Sequence, residues 1–495
     1  MDLNKAVVFE KDSFAKSKFM QKLHTVRENE EIDSPILTDI RPVSWISYQN
    51  SIIPQTSRTD KLDGPDQVVY HPSHEMDYLF YVFLATESPR IAVKAEYRDK
   101  VEVCLPYNLF HHMIISGETR FGTANGPVIP DGWLDQQAAF HMKTGPGHEA
   151  NYNRSIGNLR SLTEWTSVLP SISLRCPQPW WFSESYIQAV PLLYCNKTAM
   201  TFRYSYNLHV LNLLRMRMLV EKEDGTRSWI YITDLDEKEG FLDKVSMDTK
   251  FSTPIMHGRY GKIDEAEHGW KLGFSQSVLA TSVIKKSTSN TVSAGTSATI
   301  ALDTATPIYA MYFSAQHVRA REIGNLSNYT TNPDDQHQGW DPIRTVNHKY
   351  SDMNHYVQDQ ADFNDMQPWY HATSSPREPG YGMYAKGGYP NKTLPDVGLV
   401  YDKDLAGSVE FQMIPSNSRS TNVNNEDDSG EDVYQRTLKR HRNGGKRDSR
   451  DQYYISLYLL TRLVLKFEYD KPVLIDDGTK RLEDDYAPIA ASSRI

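Results

Sequence analysis

The strictest constraint on the fold comes from residues 200–210, where apolar and polar side chains alternate one by one. In the stretch MTFRYSYNLHV the even positions are apolar or aromatic and the odd positions are polar. Side chains on a strand point alternately to its two faces, so this period of two predicts a half-buried β-strand and leaves little room for a helix. One face of the segment therefore covers a core.

The same alternation occurs elsewhere in the chain. It repeats over 91–105, with an interruption at Asp99 that predicts a bulge or turn, and over 455–469, where Arg462 belongs to the polar face. Shorter runs also predict strands at 229–232, 292–302, 308–313 and 409–413. Aromatic residues make up 11% of the chain, and 27 Gly and 26 Pro supply turns, which together favour an all-β fold.

Helical signals are few and one of them divides the chain. Residues 5–24 are predicted to form a helix or an ordered arm, and residues 236–245 a short connecting helix, because acidic residues suit a helix N-terminus. The second helix lies near the middle of 495 residues, where a boundary between two β domains is expected. The predicted division is an N-terminal arm at 1–40, a first β domain at 41–245, a second at 246–475 and a C-terminal tail at 476–495.

Two segments are predicted to be long loops. Residues 321–362 are rich in Asn, Asp, Thr and His and poor in aliphatic residues. Residues 415–451 contain an acidic run at 426–432 and a basic run at 439–447. Such mixed charge blocks bury too little apolar surface to order themselves, so a mobile, solvated loop is favoured over a nucleic-acid contact.

The residue content argues against several functional classes. With 54 Lys and Arg against 63 Asp and Glu, the formal net charge is -9, unlike the basic charge of a typical nucleic-acid binder. The longest apolar stretches are too short to span a membrane, and the N-terminus lacks the layout of a signal peptide. Cys104, Cys176 and Cys195 suit a reducing compartment and show no zinc-type spacing.

Candidate chemistry is equally sparse. The chain has no phosphate-binding loop, no HExxH motif and no GxSxG motif. His111 and His112 are adjacent, and neighbours on a strand point to opposite faces, so they are not expected to share a metal ion. The sequence therefore predicts no catalytic, cofactor-binding or metal-binding residue and no enzyme activity.

Several segments are nevertheless unusual as sequence. All of them contain aromatic residues and some also contain proline, a combination that forms corners which bury a large area at low entropic cost. The segments are WLD at 133–135, YNRSIGN at 152–158, PWWFSES at 179–185 with AVPLLY at 189–194, WIYITDLDEKEGF at 229–241, PIYAMYF at 307–313 with Gln316, DFNDMQPWYHAT at 362–373, YGMY at 381–384 and AGSVEF at 406–411.

In this order and spacing, the segments resemble those of the double jelly-roll major capsid proteins of nucleocytoplasmic large DNA viruses. The resemblance extends from about residue 80 to about residue 470. His371 matches the first histidine of a family pair, whereas Ala372 stands at the second. The resemblance implies two tandem eight-stranded antiparallel jelly rolls with short connecting helices and long loops. It also implies homotrimeric, pseudo-hexagonal capsomers that tile an icosahedral shell.

The resemblance further implies where the chain works and what it binds. The expected location is the virion capsid, with synthesis and assembly in the host cytoplasm. Expected partners are other copies of the chain, neighbouring capsomers, minor capsid, penton and cement proteins and a membrane beneath the shell, with no specific nucleic acid and no cofactor. The loops 321–362 and 415–451 are expected at the outer tower or at intersubunit contacts, and the arm 1–40 at the inner base.

Three alternatives remain open at this stage. A scaffold or a minor capsid protein of the same virus class would have the same fold. An enzyme, such as a jelly-roll carbohydrate-active protein or a cupin-like oxygenase, would need clustered His and carboxylate ligands on neighbouring strands, and the HxH…E…H pattern of cupins is not apparent. A nucleic-acid-binding protein would use the basic residues within 436–450.

Overall fold

The computed structural model describes residues 41–42, 55–57 and 66–476. The last range has gaps at 74, 142–145, 184–187, 196–198, 222–226, 234, 242–243, 263–275, 305, 307, 351–352, 386–406 and 416–451. The predicted arm at 1–40, the tail beyond residue 476 and most of the charged loop lie outside the described residues.

The described residues up to 262 form strands that pair throughout in the antiparallel sense. They are β1 (Arg41–Pro42), β2 (Gln55–Ser57), β3 (Asp66–Tyr70), β4 (Tyr78–Glu87), β5 (Ile91–Val93), β6 (Val101–Cys104), β7 (Ile114–Phe121), β8 (Ala124–Ile129), β9 (Val168–Leu169), β10 (Ser173–Pro177), β11 (Val190–Pro191), β12 (Met200–Tyr206), β13 (Arg215–Glu221), β14 (Arg227–Ile232), β15 (Val245–Ser246) and β16 (Ile255–Lys262). The two larger sheets have the orders β1-β16-β4-β10, with β11 also on β4, and β2-β3-β12-β7-β8. Two smaller sheets have the orders β14-β13-β6 and β15-β5-β9.

The remaining strands form two further antiparallel sheets. They are β17 (Gln276–Ser287), β18 (Val292–Ser293), β19 (Ser297–Leu302), β20 (Ile308–His317), β21 (Ile343–Tyr350), β22 (Met353–Asp359), β23 (Tyr381–Ala385), β24 (Gly407–Met413), β25 (Gln452–Phe467) and β26 (Leu474–Asp476). One sheet has the order β17-β25-β20-β23, with β18 and β26 also on β25, and the other has the order β19-β24-β21-β22.

The described helices are short. The α-helices are α1 (Leu109–Met113), α2 (Trp133–His141), α3 (Pro146–Ser155), α4 (Arg160–Thr163), α5 (Val210–Leu213), α6 (Leu235–Gly240), α7 (Val318–Glu322) and α8 (Gln367–His371). The 3-10 helices are Ala95–Tyr97, Trp181–Ser183, Leu192–Tyr194 and Gln336–Gln338, and Asp362–Met366 is a π-helix that runs into α8.

The strand pairing moves the predicted domain boundary. The connecting helix expected at 236–245 is α6, but β15 and β16 follow it and return to the earlier sheets, β15 onto β5 and β16 onto β4. The boundary predicted after residue 245 is therefore too early. The sequence shows where the helix stands, but it does not show which sheet the next strand joins. We call residues 41–262 the first unit and residues 276–476 the second unit.

The alternating segments become strands with some local differences. In β12 burial alternates residue by residue, as predicted, and a helix begins at Val210. In 91–105 the strands β5 and β6 flank a 3-10 helix, Ala95–Tyr97, so the strand predicted through Ala95 is wrong there, and Asp99 lies in the turn that follows. Alternation in a charged stretch does not distinguish a strand from an exposed turn.

The prediction of a loop at 321–362 is wrong for the second half of that range. Strands β21 and β22 pair within it, and β21 also pairs with β24, with Val346 opposite Phe411. Ile343 and Val346 are buried in the core of the second unit. Only Ile343 and Val346 represent this strand in the apolar core, so its pattern does not stand out from the polar residues around it.

Strand β25 is buried on both of its faces. Ile455, Leu457 and Leu459 belong to the core inside the second unit, whereas Tyr458 and Leu460 belong to the core of the first unit. Arg462, predicted on a polar face, is buried, and its guanidinium lies 4.2 Å from the ring centre of Tyr309. The sheet that holds β25 is therefore covered by its own unit on one side and by the first unit on the other.

Candidate functional site

An aromatic layer joins the two units, and helix α2 carries its part of the first unit. Ring centres of Trp133 and Phe140 lie 5.2 Å and 5.4 Å from that of Tyr312 on β20. Trp133 also lies 6.0 Å from Tyr458 on β25. Rings at these separations gain edge and tilted contacts in addition to the burial of their area. We call Trp133, Phe140, His141, Tyr312 and Tyr458 the junction.

Two hydrogen bonds join polar atoms of the junction to the opposite unit. His141 Nε2 lies 2.6 Å from the hydroxyl of Tyr312. Burial lowers the pKa of His141 to about 3, so the imidazole is neutral at pH 7 and can accept this hydrogen bond. The hydroxyl of Tyr458 donates to the backbone carbonyl of Asp131 at 3.1 Å.

The close approach of the two units at the junction also explains why residue 132 is a glycine. Gly132 has a φ of +77°, a region that side chains disfavour. A Cβ added at Gly132 would lie 2.3 Å from the hydroxyl of Tyr458. The first unit therefore needs glycine at the point where its backbone meets the second unit.

Beside the junction, a buried carboxylate collects hydrogen bonds from both units. Asp135 is 2% exposed, and its Oδ1 lies 2.6 Å from His111 Nδ1 and 3.1 Å from Asn108 Nδ2. Its Oδ2 lies 2.9 Å from Ser327 Oγ and 3.2 Å from the Tyr329 hydroxyl, both in the second unit. We call these five residues, together with His112, the Asp135 cluster.

The electrostatics of the cluster favour an ionised carboxylate. Burial by itself would raise the pKa of Asp135, but nearby His112 and the hydrogen bonds from His111 and Ser327 outweigh burial, so the pKa is lowered. Burial lowers the pKa of His112, whose Nε2 lies 2.7 Å from Ser327 Oγ. An ionised Asp135 only accepts hydrogen bonds, so His111, Ser327, Tyr329 and Asn108 all act as donors.

A cavity of about 410 Å³ with mixed polar and apolar walls opens next to this cluster. Both units line it, the first with Asn153 and Asn158 and the second with His337 and Glu378. His337 Nδ1 and Glu378 Oε1 are 2.9 Å apart. The Asp135 cluster is thus bordered by the aromatic junction on one side and by polar groups on the other.

Two groups of exposed apolar residues lie on different units. The first patch is on β14, at the edge of its sheet, where Trp229 and Ile230 are exposed on opposite faces of the strand. The second patch follows the edge strand β22 and the helices after it, and consists of Tyr356, Val357, Met366, Trp369 and Tyr370. Trp369 is 76% exposed. Exposed aromatic groups of this kind are typical of protein–protein contacts.

Comparison with known proteins identifies the fold. The major capsid protein of lymphocystis disease virus 1 (isolate Darai) is 25% identical over 205 residues, which are 40% of this chain and 42% of that protein. A crystal structure of PBCV-1 VP54, fitted into a reconstruction of the virophage Sputnik, superposes with a TM-score of 0.56 at 10% identity and covers 88% of this chain and 98% of its own. The Faustovirus major capsid protein has a TM-score of 0.55 at 9% identity, over 83% of this chain and 90% of its own. No protein-family model matches the chain.

This chain has the double jelly-roll fold of viral major capsid proteins. The predicted all-β fold and family resemblance are confirmed. For brevity we refer to the first and second units as the first and second rolls. The match covers less than half of the curated relative. The relatives are capsid proteins rather than enzymes, which confirms the prediction of a non-enzymatic protein.

The double jelly-roll chain uses its two adjacent histidines differently from the prediction. His111 and His112 lie on helix α1 rather than on a strand, and both approach Asp135, His112 Nε2 at 3.6 Å from Oδ2. Neighbours in a short helix are about 100° apart, so their side chains can converge on one group. Within the described ranges, no three His, Cys, Asp or Glu side chains are arranged to hold a metal ion.

The aromatic corner at 179–185 is structural, as predicted. Trp180, Trp181 and Phe182 are buried, and Trp180 Nε1 donates to the hydroxyl of Tyr204 at 3.0 Å. Asp135, by contrast, was part of the WLD motif but was not singled out. An acidic residue inside the apolar stretch of α2 is the signal that could have found it.

The three cysteines have little reactivity. All are buried, and burial raises the pKa of Cys104 to about 11 and those of Cys176 and Cys195 to about 12. Thiols in such surroundings stay protonated and are poor nucleophiles. No helix among the described residues is long and apolar enough to cross a bilayer.

Proposed function

We propose that this chain is a viral major capsid protein that assembles into homotrimeric, pseudo-hexagonal capsomers. The observation that carries the proposal is the shared core of the two rolls. A sheet buried between both units gives one rigid block with two barrels. Three such blocks around a three-fold axis place six barrels in a ring, which is a shape that can tile the facets of an icosahedral shell.

The exposed patches suggest how copies of the chain meet. A closed ring of identical subunits uses a head-to-tail interface, in which two different surfaces of the subunit contact each other. In our proposal the first patch, with Trp229, contacts the second patch, with Trp369, on the neighbouring copy. An obligate interface of this kind buries more than about 2,000 Å².

The remaining parts of the chain have proposed places in the shell. Segments 321–362 and 415–451 contribute to the outer tower or to intersubunit contacts, and the arm 1–40 lies at the inner base near minor proteins or the membrane. Proposed partners include neighbouring capsomers and minor capsid, penton and cement proteins, in a virion capsid assembled in the host cytoplasm. Limited proteolysis of assembled particles tests the position of the arm, because early cleavage within residues 1–40 would contradict it.

The test of the proposed function is the size and symmetry of the purified chain. A particle of three times 56.7 kDa is expected, and a stable monomer would contradict the proposal. Replacing Trp369 and Tyr370 by Ser should convert the trimer to monomers. Tyr469→Ser is the matched control, because Tyr469 is an exposed aromatic residue in the turn after β25 and belongs to neither patch.

A scaffold or minor capsid protein with the same fold is the alternative proposal. Both would share the junction and the rolls, so the fold does not separate them from a major shell subunit. Quantification of the chain in purified mature particles does separate them. A major capsid protein is the most abundant shell protein there, whereas a scaffold is absent and a minor protein is present in few copies.

A further inference from the structure

We infer that Asp135 is a positioning residue that sets the orientation of the second roll relative to the first. The inference begins with the kind of contact at the interface. The junction is made mainly of aromatic rings, and hydrophobic contact resists separation without imposing a direction. The junction's own directed contacts are two hydrogen bonds, one between His141 and Tyr312 and one from Tyr458 to the Asp131 carbonyl.

The Asp135 carboxylate adds more directed contacts than the junction does, and it places them on one buried charge. Its four hydrogen bonds come from two units, Asn108 and His111 in the first and Ser327 and Tyr329 in the second. Hydrogen bonds weaken steeply when their geometry is distorted. Rotation of the second roll would therefore withdraw donors from a buried charge, and a buried charge without partners is strongly unfavourable.

Additional bonds hold both sides of the carboxylate in place. In the first unit, His111 Nε2 lies 2.8 Å from the hydroxyl of Tyr152, which orients the imidazole toward Asp135. His112 Nε2 lies 2.7 Å from Ser327 Oγ and can donate to this hydroxyl, whose single proton goes to Asp135. Asn328, the residue between Ser327 and Tyr329, donates through Nδ2 to the Asn332 carbonyl at 2.7 Å. These bonds fix the orientation of the groups that donate to Asp135.

The inference has a consequence for assembly that rests on the proposed function. The angle between the two rolls determines whether three copies close into a ring with a regular six-sided outline. Asp135 therefore affects the accuracy of the capsomer more than the folding of either roll.

Distances between spin labels on the two rolls test the inference directly. Labels are attached at Lys100→Cys in the first unit and Ser289→Cys in the second, both exposed positions, while the native thiols are buried. The parent protein should give one narrow distance distribution, and Asp135→Asn should broaden or shift it. Val68→Ala, which removes buried apolar contacts on β3, a strand that carries no residue of the Asp135 cluster, is the control and should leave the distribution narrow.

Hydrogen exchange gives a second readout that does not depend on labels. In Asp135→Asn the amides of residues 327–330 should exchange about tenfold faster, the factor expected when roughly one hydrogen bond is lost. Tyr329→Phe removes only one donor, so the exchange of the same amides should be accelerated less. This variant decides the test if Asp135→Asn does not fold. Unchanged distances and unchanged exchange in the variant that folds would overturn the inference.

Assembly separates this inference from the proposed function. If the parent chain forms trimers and Asp135→Asn forms fewer closed ones while both rolls stay folded, both proposals gain support. If the parent chain is a monomer, the proposed function fails. The label distances and the exchange of 327–330 still decide the role of Asp135 in that case.

Discussion

The two faces of the sheet that contains β20 and β25 are both buried, yet they differ in chemistry. The face inside the second unit is lined with Phe313, Leu457 and Leu459. The face toward the first unit carries Tyr312 and Tyr458, whose hydroxyls bond to His141 and to the Asp131 carbonyl. Burial alone is enough for the interior of a roll, whereas the contact between rolls adds directed polar bonds to burial.

The comparison predicts different responses to substitution on the two faces. Removing a side chain from the face inside the second unit, the inner face, should unfold the second roll. Removing a side chain from the face toward the first unit, the outer face, should weaken the contact between rolls while each roll keeps its own core. Tyr312 and Phe313 are sequence neighbours on β20, so the two faces can be compared within a single strand.

The largest effect is expected for Phe313→Ala. Phe313 is completely buried among Phe363 and Phe411, with ring centres at 5.3 Å and 5.4 Å. Truncation of a buried Phe costs about 3–5 kcal/mol of unfolding free energy. Urea denaturation should show the second roll unfolding at lower denaturant while the first-roll transition moves little. Equal loss in both rolls would mean that the two faces do not act separately.

The next effect is the acid sensitivity of the junction through His141. Its pKa is lowered from 6.5 to about 3 in the folded protein, so below pH 6.5 the unfolded chain binds a proton that the folded chain does not. Stability is therefore lost as the pH falls from 6.5 toward 3, by about 2 kcal/mol at pH 5.

Denaturation at pH 7 and pH 5 measures this loss, with His141→Gln as the comparison. Between pH 7 and pH 5 the free energy of unfolding of the parent should fall by about 2 kcal/mol more than that of the variant. Asp341 works in the opposite sense, because burial raises its pKa from 3.8 to about 6, and its contribution is common to both proteins. Equal pH dependence of parent and variant would show that His141 is not held neutral between the rolls.

The sequence predicts the individual strands better than their partners. Alternation located β12 and most of β25, because a half-buried strand shows its two faces in its own residues. The same alternation predicts Arg462 on an exposed face, because the residues around Arg462 give no sign that the first roll covers that face. The same limit explains the early boundary at residue 245, where the destination of β16 depends on pairing with β4.

The candidate site was harder to predict than the fold. The WLD motif at 133–135 was part of the family resemblance, and His111 and His112 were noticed as a pair. Their meeting around Asp135 depends on a helix at Leu109–Met113 and on donors more than 190 residues further along the chain. Contacts between residues so far apart leave no periodic signal in a single sequence.

A smaller effect is expected when the junction loses one neutral hydrogen bond. Tyr458→Phe removes the donor to the Asp131 carbonyl but keeps the ring against Trp133. The loss should be about 1 kcal/mol, the usual net value of one buried hydrogen bond. Thermal denaturation of the variant measures it, and a loss close to that of Phe313→Ala would remove the distinction between the faces.

The smallest effect is expected for an ion pair at the rim of the junction. Lys285 Nζ lies 3.0 Å from Asp131 Oδ2, and the side chains are 27% and 61% exposed. Exposed pairs contribute less than about 1 kcal/mol because water screens them and the long side chain loses freedom. Lys285→Met should therefore change the free energy of unfolding less than Tyr458→Phe, although both substitutions remove a contact to Asp131. The small loss should also shrink further in 1 M salt, where exposed charges are screened within about 3 Å. A larger loss than that of Tyr458→Phe would mean that charge at the rim, rather than the buried aromatic layer, holds the two rolls together.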